Sequence, residues 1–506
     1  MRNDKGIERR RGAVVPEVLY PPDLSQKVLA GEAAGGAPAV VSVVVPTVTV
    51  PGEPFTLKVA VLDARGFPSV EFDGKVVIEG PSGASLAEVL FSPGRPAVAL
   101  LSDVVVPSEG LYRFEVRLDD EVYPSNPTMC RPEPGPFLYW GDPHVHTVLS
   151  NCHADKCRSL NFCYTAGRYV SGLDWLSATD HVSNGRCDFS KWKEQGVVRD
   201  LYDDPPEFVT LPGYEASLRG GAGGDTNVYM LRAPEMFVDE YEQGNVKTLC
   251  EKLAEVIPEG AFFVVPHHTT RARKHGELSD ETYPGPELIP VIEVHSKWGT
   301  SEYRGNPNPL KEVHPGPSYV VDLLNRGLEL GFIGGTDTHA TMPSGVGVKL
   351  PLADSIEPGH IDRLPGLTAV WARELTRNAV FRAIRQRRCY AASLERIYLD
   401  GSVAGWPFGS RAGWPQPDEP RTVHVSAAAQ SDITTIELIR NGEVIHKHSC
   451  AGWHDALTYT DEGDWEEVAF ESQYLGKFVY YYVRVTCSSG AQAWSSPVWL
   501  CENDRP

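Results

Sequence analysis

His144 and His146 stand one residue apart just after the apolar run Leu138–Trp140, and similar groupings recur along the chain. Asp180 and His181 follow LDWLSAT, Glu215 closes FVTLPGYE, and His267 and His268 follow AFFVVP. Glu293 and His295 lie in VIEVH, and Asp337 and His339 follow GFIGGT. Imidazole and carboxylate are the ligands of borderline divalent cations. Residues i and i+2 of a strand point to one side, so His-x-His or Asp-x-His at a strand end can chelate one ion. A single such pair means little, because a buried histidine with satisfied hydrogen bonds is the commoner case. Repetition at several strand ends changes that, since many buried imidazoles and carboxylates need a shared compensating charge. The residues therefore predict a metal centre. A divalent cation lowers the pKa of the water it holds to near neutrality and neutralises the oxyanion formed by attack on phosphorus or carbonyl carbon. His295 or Asp337 is placed to move the proton. Arg271 and Arg273, with Lys274, Lys297 and Arg304, lie in loops after ligand-bearing strands, where they can clamp an anionic substrate; for each alone, a solvated surface role competes.

These residues need elements to hold them, and the pattern of the chain supplies them. A length of 506 residues exceeds one ordinary core and points to about three domains. Residues 1–37 read as an N-terminal extension. From 38 to 130, Val-rich runs such as VVSVVVPTVTV and FTLKVAVLDA alternate with Gly, Pro and Asp clusters, which reads as an antiparallel β-sandwich. The Pro-rich residues 131–136 form a linker. From 137 to 396, apolar strands alternate with amphipathic helices, the pattern of an α/β domain with a parallel, barrel-like sheet. Asn245 caps VKTLCEKLAEVI, Ser318 precedes YVVDLLNRGLEL, and Thr376 opens RNAVFRAIRQRR. Residues 397–506 return to strands and read as a second β-sandwich, with the Asn441-Gly442 pair a strong hairpin signal. Ten of the fifteen histidines lie between His144 and His339, mostly after apolar strands, where an α/β barrel carries its active site.

The segments Gly-Asp142-Pro-His144-Val-His146-Thr, Thr-Asp180-His181, Pro-Gly-Tyr-Glu215 and Gly-Thr-Asp337-Thr-His339 resemble those of the PHP (polymerase and histidinol phosphatase) superfamily, over roughly residues 137–396. The tail LTAVWARELTRNAVFRAIRQRRCYAAS is similar to a PHP-like branch with β-rich flanks. The resemblance implies a distorted (β/α)7 barrel, two or three Zn, Mn or Fe ions, and phosphoester hydrolysis. It implies that His144 and His146 bind a first metal completed by Asp337, that Glu215 bridges two metals, and that His181 and His339 bind a third. The family's further histidine after the first motif falls on His153, with Cys152 the alternative. His267, His268 and His295 share the second metal without individual assignment. Asp142 and Asp180 would orient neighbouring imidazoles.

The net charge of −20 argues against nucleic acid as the main partner. No run of about eighteen apolar residues is long enough to span a bilayer. The basic start lacks an apolar signal segment, so the cytoplasm and reduced thiols are expected. Cys152, Cys157, Cys163 and Cys187 lack zinc-knuckle spacing; Cys450 with Cys487 or Cys501 is the disulfide expected only of an exported chain. A small anionic molecule is the expected substrate, and a homo-oligomer is open. Hydrolysis of C–N or carboxylic ester bonds competes with phosphate chemistry, although Glu215 in the bridging role favours phosphate. A catalytically silent, metal-stiffened binding module is the third reading, against which the full ligand set speaks. Tryptophans 453, 465, 494 and 499 read as sandwich core.

Overall fold

The computed structural model describes residues 16–133, 135–152, 157–218, 224–240, 244–271, 278–310, 316–343, 364–413 and 420–502. His153, Arg273 and Lys274 lie outside the described residues. The protein is β-rich with few helices, and the described strands form seven sheets.

Near the N-terminus, one four-stranded sheet orders Glu17–Leu19, Val98–Val104, Phe55–Leu62 and Val40–Val44. A second orders Glu121–Pro124, Glu115–Leu118, Gly74–Glu79 and Ser85–Phe91. Both are antiparallel and share one core that includes Val59, Leu101, Val76, Ile78 and Val116. The period-two pattern is visible in Gly74–Glu79, where Val76 and Ile78 are buried and their neighbours are not. A helix, Asp23–Glu32, precedes these strands. It buries Leu29 against Phe162, and its Glu32 carboxylate accepts from the Ser159 backbone N–H at 2.9 Å.

The metal-ligand segments fall on three further sheets. Phe137–Val145 pairs in parallel with Trp175–Ala178, which pairs in parallel with Val209–Thr210. Gly213–Ser217, Asp225–Met230 and Phe262–Pro266 form an antiparallel sheet. Val291–Ser296 pairs in parallel with Gly331–Gly334. Single bridges, Val145 with Thr338 and His181 with Glu215, join these sheets edge to edge. The side chain of Thr368 ties Gly334 to the strand Gly366–Ala372, which returns antiparallel to Phe137–Val145.

This hydrogen bonding departs from the expected (β/α)7 barrel of parallel strands. The pairings of Asp225–Met230 with both its neighbours, and of Gly366–Ala372 with Phe137–Val145, are antiparallel where a parallel barrel requires parallel ones. The sheet also continues past residue 397: Cys389–Ser393 pairs with Gln492–Ser495, and Gly476–Cys487 and Ile433–Arg440 follow it within one twelve-stranded sheet.

The helices follow their local signals closely. The Asn245 side chain accepts from the Thr248 N–H while the Thr248 hydroxyl accepts from the Asn245 N–H, a capping box that starts Val246–Val256. Its buried face is Val246, Leu249, Cys250 and Leu253; each leucine contributes about 1.5–3 kcal/mol by leaving water. Thr376 caps Arg377–Arg385. The helix after Ser318 is shorter than its pattern, Val320–Asn325. Gly327, at φ +86°, lets the Leu328 N–H reach the Leu323 carbonyl and its own N–H reach Leu324, a Schellman stop. Asn441 and Gly442, both at positive φ, turn the hairpin Ile433–Arg440 to Glu443–Ser449. All ten cysteines are free, so the conditional Cys450 disulfide does not form. Trp494 and Trp499 are fully buried core. No described helix is long and apolar enough to cross a membrane.

Candidate metal centre

The strand ends converge on two buried carboxylates. Glu215, inside Gly213–Ser217, presents Oε2 to His146 Nε2 at 3.1 Å and His144 Nε2 at 3.2 Å. Its other oxygen, Oε1, lies 3.4 Å from both His181 Nδ1 and His267 Nε2. Asp337 repeats this from the opposite side: Oδ1 is 3.1 Å from His146 Nε2 and 3.7 Å from His339 Nδ1, and Oδ2 is 3.5 Å from His268 Nε2. Four overlapping groups result: His144–Glu215–His267, His144–His146–Asp337, His267–His268–Asp337, and His146–Cys152–His181–His339. Within each, the ligand atoms lie within 4.8 Å of one another.

His268 and Asp337 hold left-handed backbone angles, φ +55° and +51°. Such conformations are costly for most non-glycine residues and gather where geometry is functional. Gly335 is needed for another reason: a Cβ there would stand 2.7 Å from Glu293 Oε2 and 2.7 Å from His144 Cβ.

The outer contacts fix which nitrogen each ring presents. His144 donates Nδ1–H to Glu293 Oε2 at 3.0 Å, so Nε2 faces Glu215. His146 donates Nδ1–H to Ser150 Oγ at 2.9 Å, and Ser150 donates in turn to Asp180 Oδ1 at 2.8 Å. Asp180 thus orients His146 through a hydroxyl, while its Oδ1 also accepts from the Thr147 N–H at 2.6 Å. Asp142 works on the backbone, accepting from the His144 N–H at 3.1 Å and from the Thr336 N–H and hydroxyl; Glu293 has the ring-orienting task that the sequence allotted to Asp142.

His295 does not join the cluster, which corrects its expected metal and proton-transfer roles. Thr300 Oγ donates to its Nδ1 and its Nε2–H donates to the Leu364 carbonyl, each at 2.8 Å, and the ring stacks on Trp494 at 5.4 Å. Burial holds its pKa down at about 4, so it is a neutral core histidine. The cause lies in the strand: its register against Gly331–Gly334 shifts between Glu293 and His295, a bulge that breaks the i, i+2 rule and turns His295 away from Glu293. A similar shift between Asp142 and Val145 separates Asp142 from the His144 direction. Glu293 and Ser150 are site residues to which the strand-end motifs assign no role, and Cys152, the alternative to His153, lies with His146, His181 and His339.

The electrostatics of the cluster favour a shared positive charge. Burial alone would lower the His144 pKa, yet Asp337, Glu293 and Glu215 lift it well above its ordinary value. For His146 burial is likewise outweighed, by Asp337 and Glu215, and the pKa rises to about 10. Glu215 and Asp337 are held well below the carboxylate range, against burial, by the surrounding imidazoles. Three buried carboxylates, Glu215, Glu293 and Asp337, are thus balanced by protons on histidines, the role a divalent cation fills better. His181 Nδ1 and Glu293 Oε1 are buried with no hydrogen-bond partner. The donor set and these orphaned atoms fit a metal site.

At the rim, Trp298 packs edge-on to His339 at 6.1 Å, with Lys297 Nζ 4.5 Å and the Arg271 guanidinium 5.8 Å from its ring centre. Arg304 is turned elsewhere, to the Gly316 carbonyl and the Tyr319 ring.

The family model described as "Protein of unknown function (DUF3604)" matches residues 357–417. An uncharacterized protein of Chlamydia pneumoniae is 25% identical over 424 residues, covering 81% of this chain and 65% of the relative. One of Chlamydia trachomatis serovar D is 26% identical over 425 residues, with the same coverages. The chain therefore spans about 65% of the length of these relatives. Among solved structures, a two-domain protein from Bacteroides vulgatus containing a predicted PHP-like metal-dependent phosphoesterase is 15% identical, covers 71% of this chain and 95% of its own, and aligns with a TM-score of 0.36. An FMN-binding β-glucuronidase is 12% identical and covers 92% of this chain and 74% of its own at a TM-score of 0.18.

Proposed function

We propose that the protein is a metal-dependent hydrolase of small anionic substrates, with phosphate esters the preferred class. The observation that carries this is Glu215, whose two oxygens each face a pair of imidazole nitrogens at 3.1 to 3.4 Å, the arrangement of a carboxylate shared between cations. His144, His146 and Asp337 would hold one ion, His267 and His268 with the two carboxylates a second, and the His181–His339 side a third. Bound cations of the Zn, Mn or Fe type would supply Lewis acidity and a water of lowered pKa. The chain's own residues do the rest. Glu293 and Ser150 hold the His144 and His146 rings in one tautomer. Lys297 and Arg271, both near the Trp298 ring, place positive charge at the rim beside His339, where an anionic group would be held. Asp337, at the junction of the His144, His268 and His339 sides, is the group placed to take a proton.

The same reading takes the strands between 137 and 396 as an irregular relative of a (β/α)7 barrel, set between β-sandwich regions at 38–130 and 397–506. Free thiols and a net charge of −20 accord with a cytoplasmic enzyme that does not act on nucleic acid.

The test is elemental analysis of the purified protein together with hydrolysis of p-nitrophenyl phosphate mono- and diesters, before and after chelation and reloading with Mn, Zn or Fe. Two or three metals with chelator-sensitive phosphate hydrolysis are expected, and both are lost in His144→Ala/His146→Ala. Unchanged hydrolysis in a folded double variant overturns the assignment; bound metal without phosphate hydrolysis moves the reaction to C–N or carboxylic ester bonds.

A further inference from the structure

The geometry points to Cys152 as a thiolate ligand that makes one position of the metal centre soft and selective for a zinc-class ion, while the positions around Glu215 and Asp337 remain built of oxygen and nitrogen. The inference rests on the metal-centre reading above and goes beyond it by making the positions unequal.

Cys152 follows the short turn Val148–Ser150, whose residue Ser150 already positions His146. This turn ends at Asn151 in a left-handed conformation, φ +52°, which brings the next residue back toward the histidines. The sulfur lies within 4.8 Å of ligand nitrogens of His146, His181 and His339. The three rings are arranged as a stack: His146 is flanked by His181 at 4.6 Å and 25° and by His339 at 4.3 Å and 29°. In a tetrahedral site with metal–nitrogen distances of about 2.0 Å and one metal–sulfur distance of about 2.3 Å, neighbouring ligand atoms stand about 3.3–3.5 Å apart. The cluster therefore closes on an ion with movements on the order of one ångström.

A second observation, independent of the sulfur, marks this spot. His181 is a buried residue whose Nδ1 makes no hydrogen bond, with Glu215 Oε1 3.4 Å away, whereas both ring nitrogens of His144 and of His146 are hydrogen-bonded. His146 Nε2 is 3.1 Å from both Glu215 and Asp337, so it serves the neighbouring position as well. Cys152, His181 and His339 are then this position's own set. Three protein ligands leave a fourth place open, the pattern of catalytic rather than structural zinc. Soft thiolate selects zinc-like ions, whereas carboxylate and imidazole accept manganese. Cys157 is nearby but is not grouped with the ring nitrogens; its thiol faces two backbone carbonyls, that of His339 at 2.9 Å and that of Cys152 at 3.4 Å.

The experiment uses the full-length protein stripped by chelation and reloaded with Co(II), followed by absorption spectroscopy and metal counting. A sulfur-to-cobalt charge-transfer band in the near ultraviolet is expected. Cys152→Ser should lose the band and one metal equivalent, and Cys157→Ser should keep both. Reloading with Mn(II) alone should leave one equivalent fewer than reloading with Zn(II). Should Cys152→Ser fail to fold, iodoacetamide mapping of the wild-type protein gives the same answer: zinc should shield Cys152 from alkylation and manganese should not. Cobalt uptake without the band, a band that survives in Cys152→Ser, or equal alkylation with and without zinc overturns the Cys152 assignment alone. A protein that takes up no cobalt overturns the metal centre itself, and this inference with it.

Discussion

Glu293→Gln is the sharpest probe of how the centre is held. The wild-type carboxylate accepts from His144 Nδ1 at 3.0 Å, and neither side chain is more than 1% exposed. This contact keeps a proton on Nδ1 and turns Nε2 toward Glu215, where its lone pair would be offered to a bound cation. Loss of such an outer partner costs about 10–100-fold in metal affinity, or about 1.4–2.8 kcal/mol at 1.4 kcal/mol per factor of ten. Glutamine keeps an acceptor oxygen facing Nδ1 and removes only the charge, so the lower end, about 10-fold, is expected. Glu293→Ala also strands a buried Nδ1–H and frees the ring, which places it near 100-fold. The assay is competition for zinc against a chromophoric chelator, with circular dichroism as the control for folding. Both variants should still fill every position at saturating zinc. Wild-type affinity in Glu293→Ala, or selective emptying of the Cys152 position, which does not include His144, would refute the reasoning.

Other outcomes follow from the same geometry. Ser150→Ala removes the acceptor of His146 Nδ1–H and a donor to buried Asp180, so chelator competition should read about 10-fold weaker zinc binding and chemical denaturation a loss of about 1–3 kcal/mol. His295→Phe should keep the stack on Trp494 and the full metal count while costing about 1–3 kcal/mol for the stranded Thr300 and Leu364 groups; a lost metal equivalent would restore His295 to the centre. The metal-free protein should also lose thermal stability as pH rises. With its pKa raised from 6.5 to about 10, the His146 contribution is complete below pH 6.5 and fades as pH climbs through about 10. Zinc-bound protein, whose rings are already deprotonated, should lack that decline between pH 6.5 and 10, and a metal-free melting temperature that rises over this window would contradict the electrostatics.

Much of the centre was legible because ligands cluster by type at the ends of apolar strands. His144, His146, His181, Glu215, His267, His268, Asp337 and His339 all meet where that logic sends them. The failure at His295 has one physical origin. Reading i and i+2 as one face assumes an unbroken pleat, and the bulge after Glu293 breaks it, leaving a side chain of the right type on the wrong side. Glu293 stands out in the same segment by its type, but its task of holding the His144 ring follows only from the meeting of two distant strands. Ser150 carried no signal, because a hydroxyl becomes informative only when its two partners are known in space. In the fold, helix starts at Asn245 and Thr376 and the Asn441-Gly442 turn rest on local chemistry and were readable. The antiparallel pairing of Asp225–Met230 and the passage of one sheet across residue 397 depend on distant partners, which local patterning does not encode.

The left-handed backbone at Asp337 bears on how this centre can be lost over evolutionary time. Aspartate, asparagine and glycine are the residues that occupy that conformation with least strain. Most replacements of Asp337 would disturb the turn as well as the ligand set, and selection for folding alone would remove them. Asparagine and glycine are different: each is one nucleotide change from aspartate, each suits the turn, and each deletes the carboxylate. A lineage in which the chemistry is no longer needed therefore has an open path to a well-folded descendant at this position. A relative carrying Asn or Gly at the position of Asp337, with the neighbouring histidines intact, would be such a descendant, a scaffold that outlived its metals.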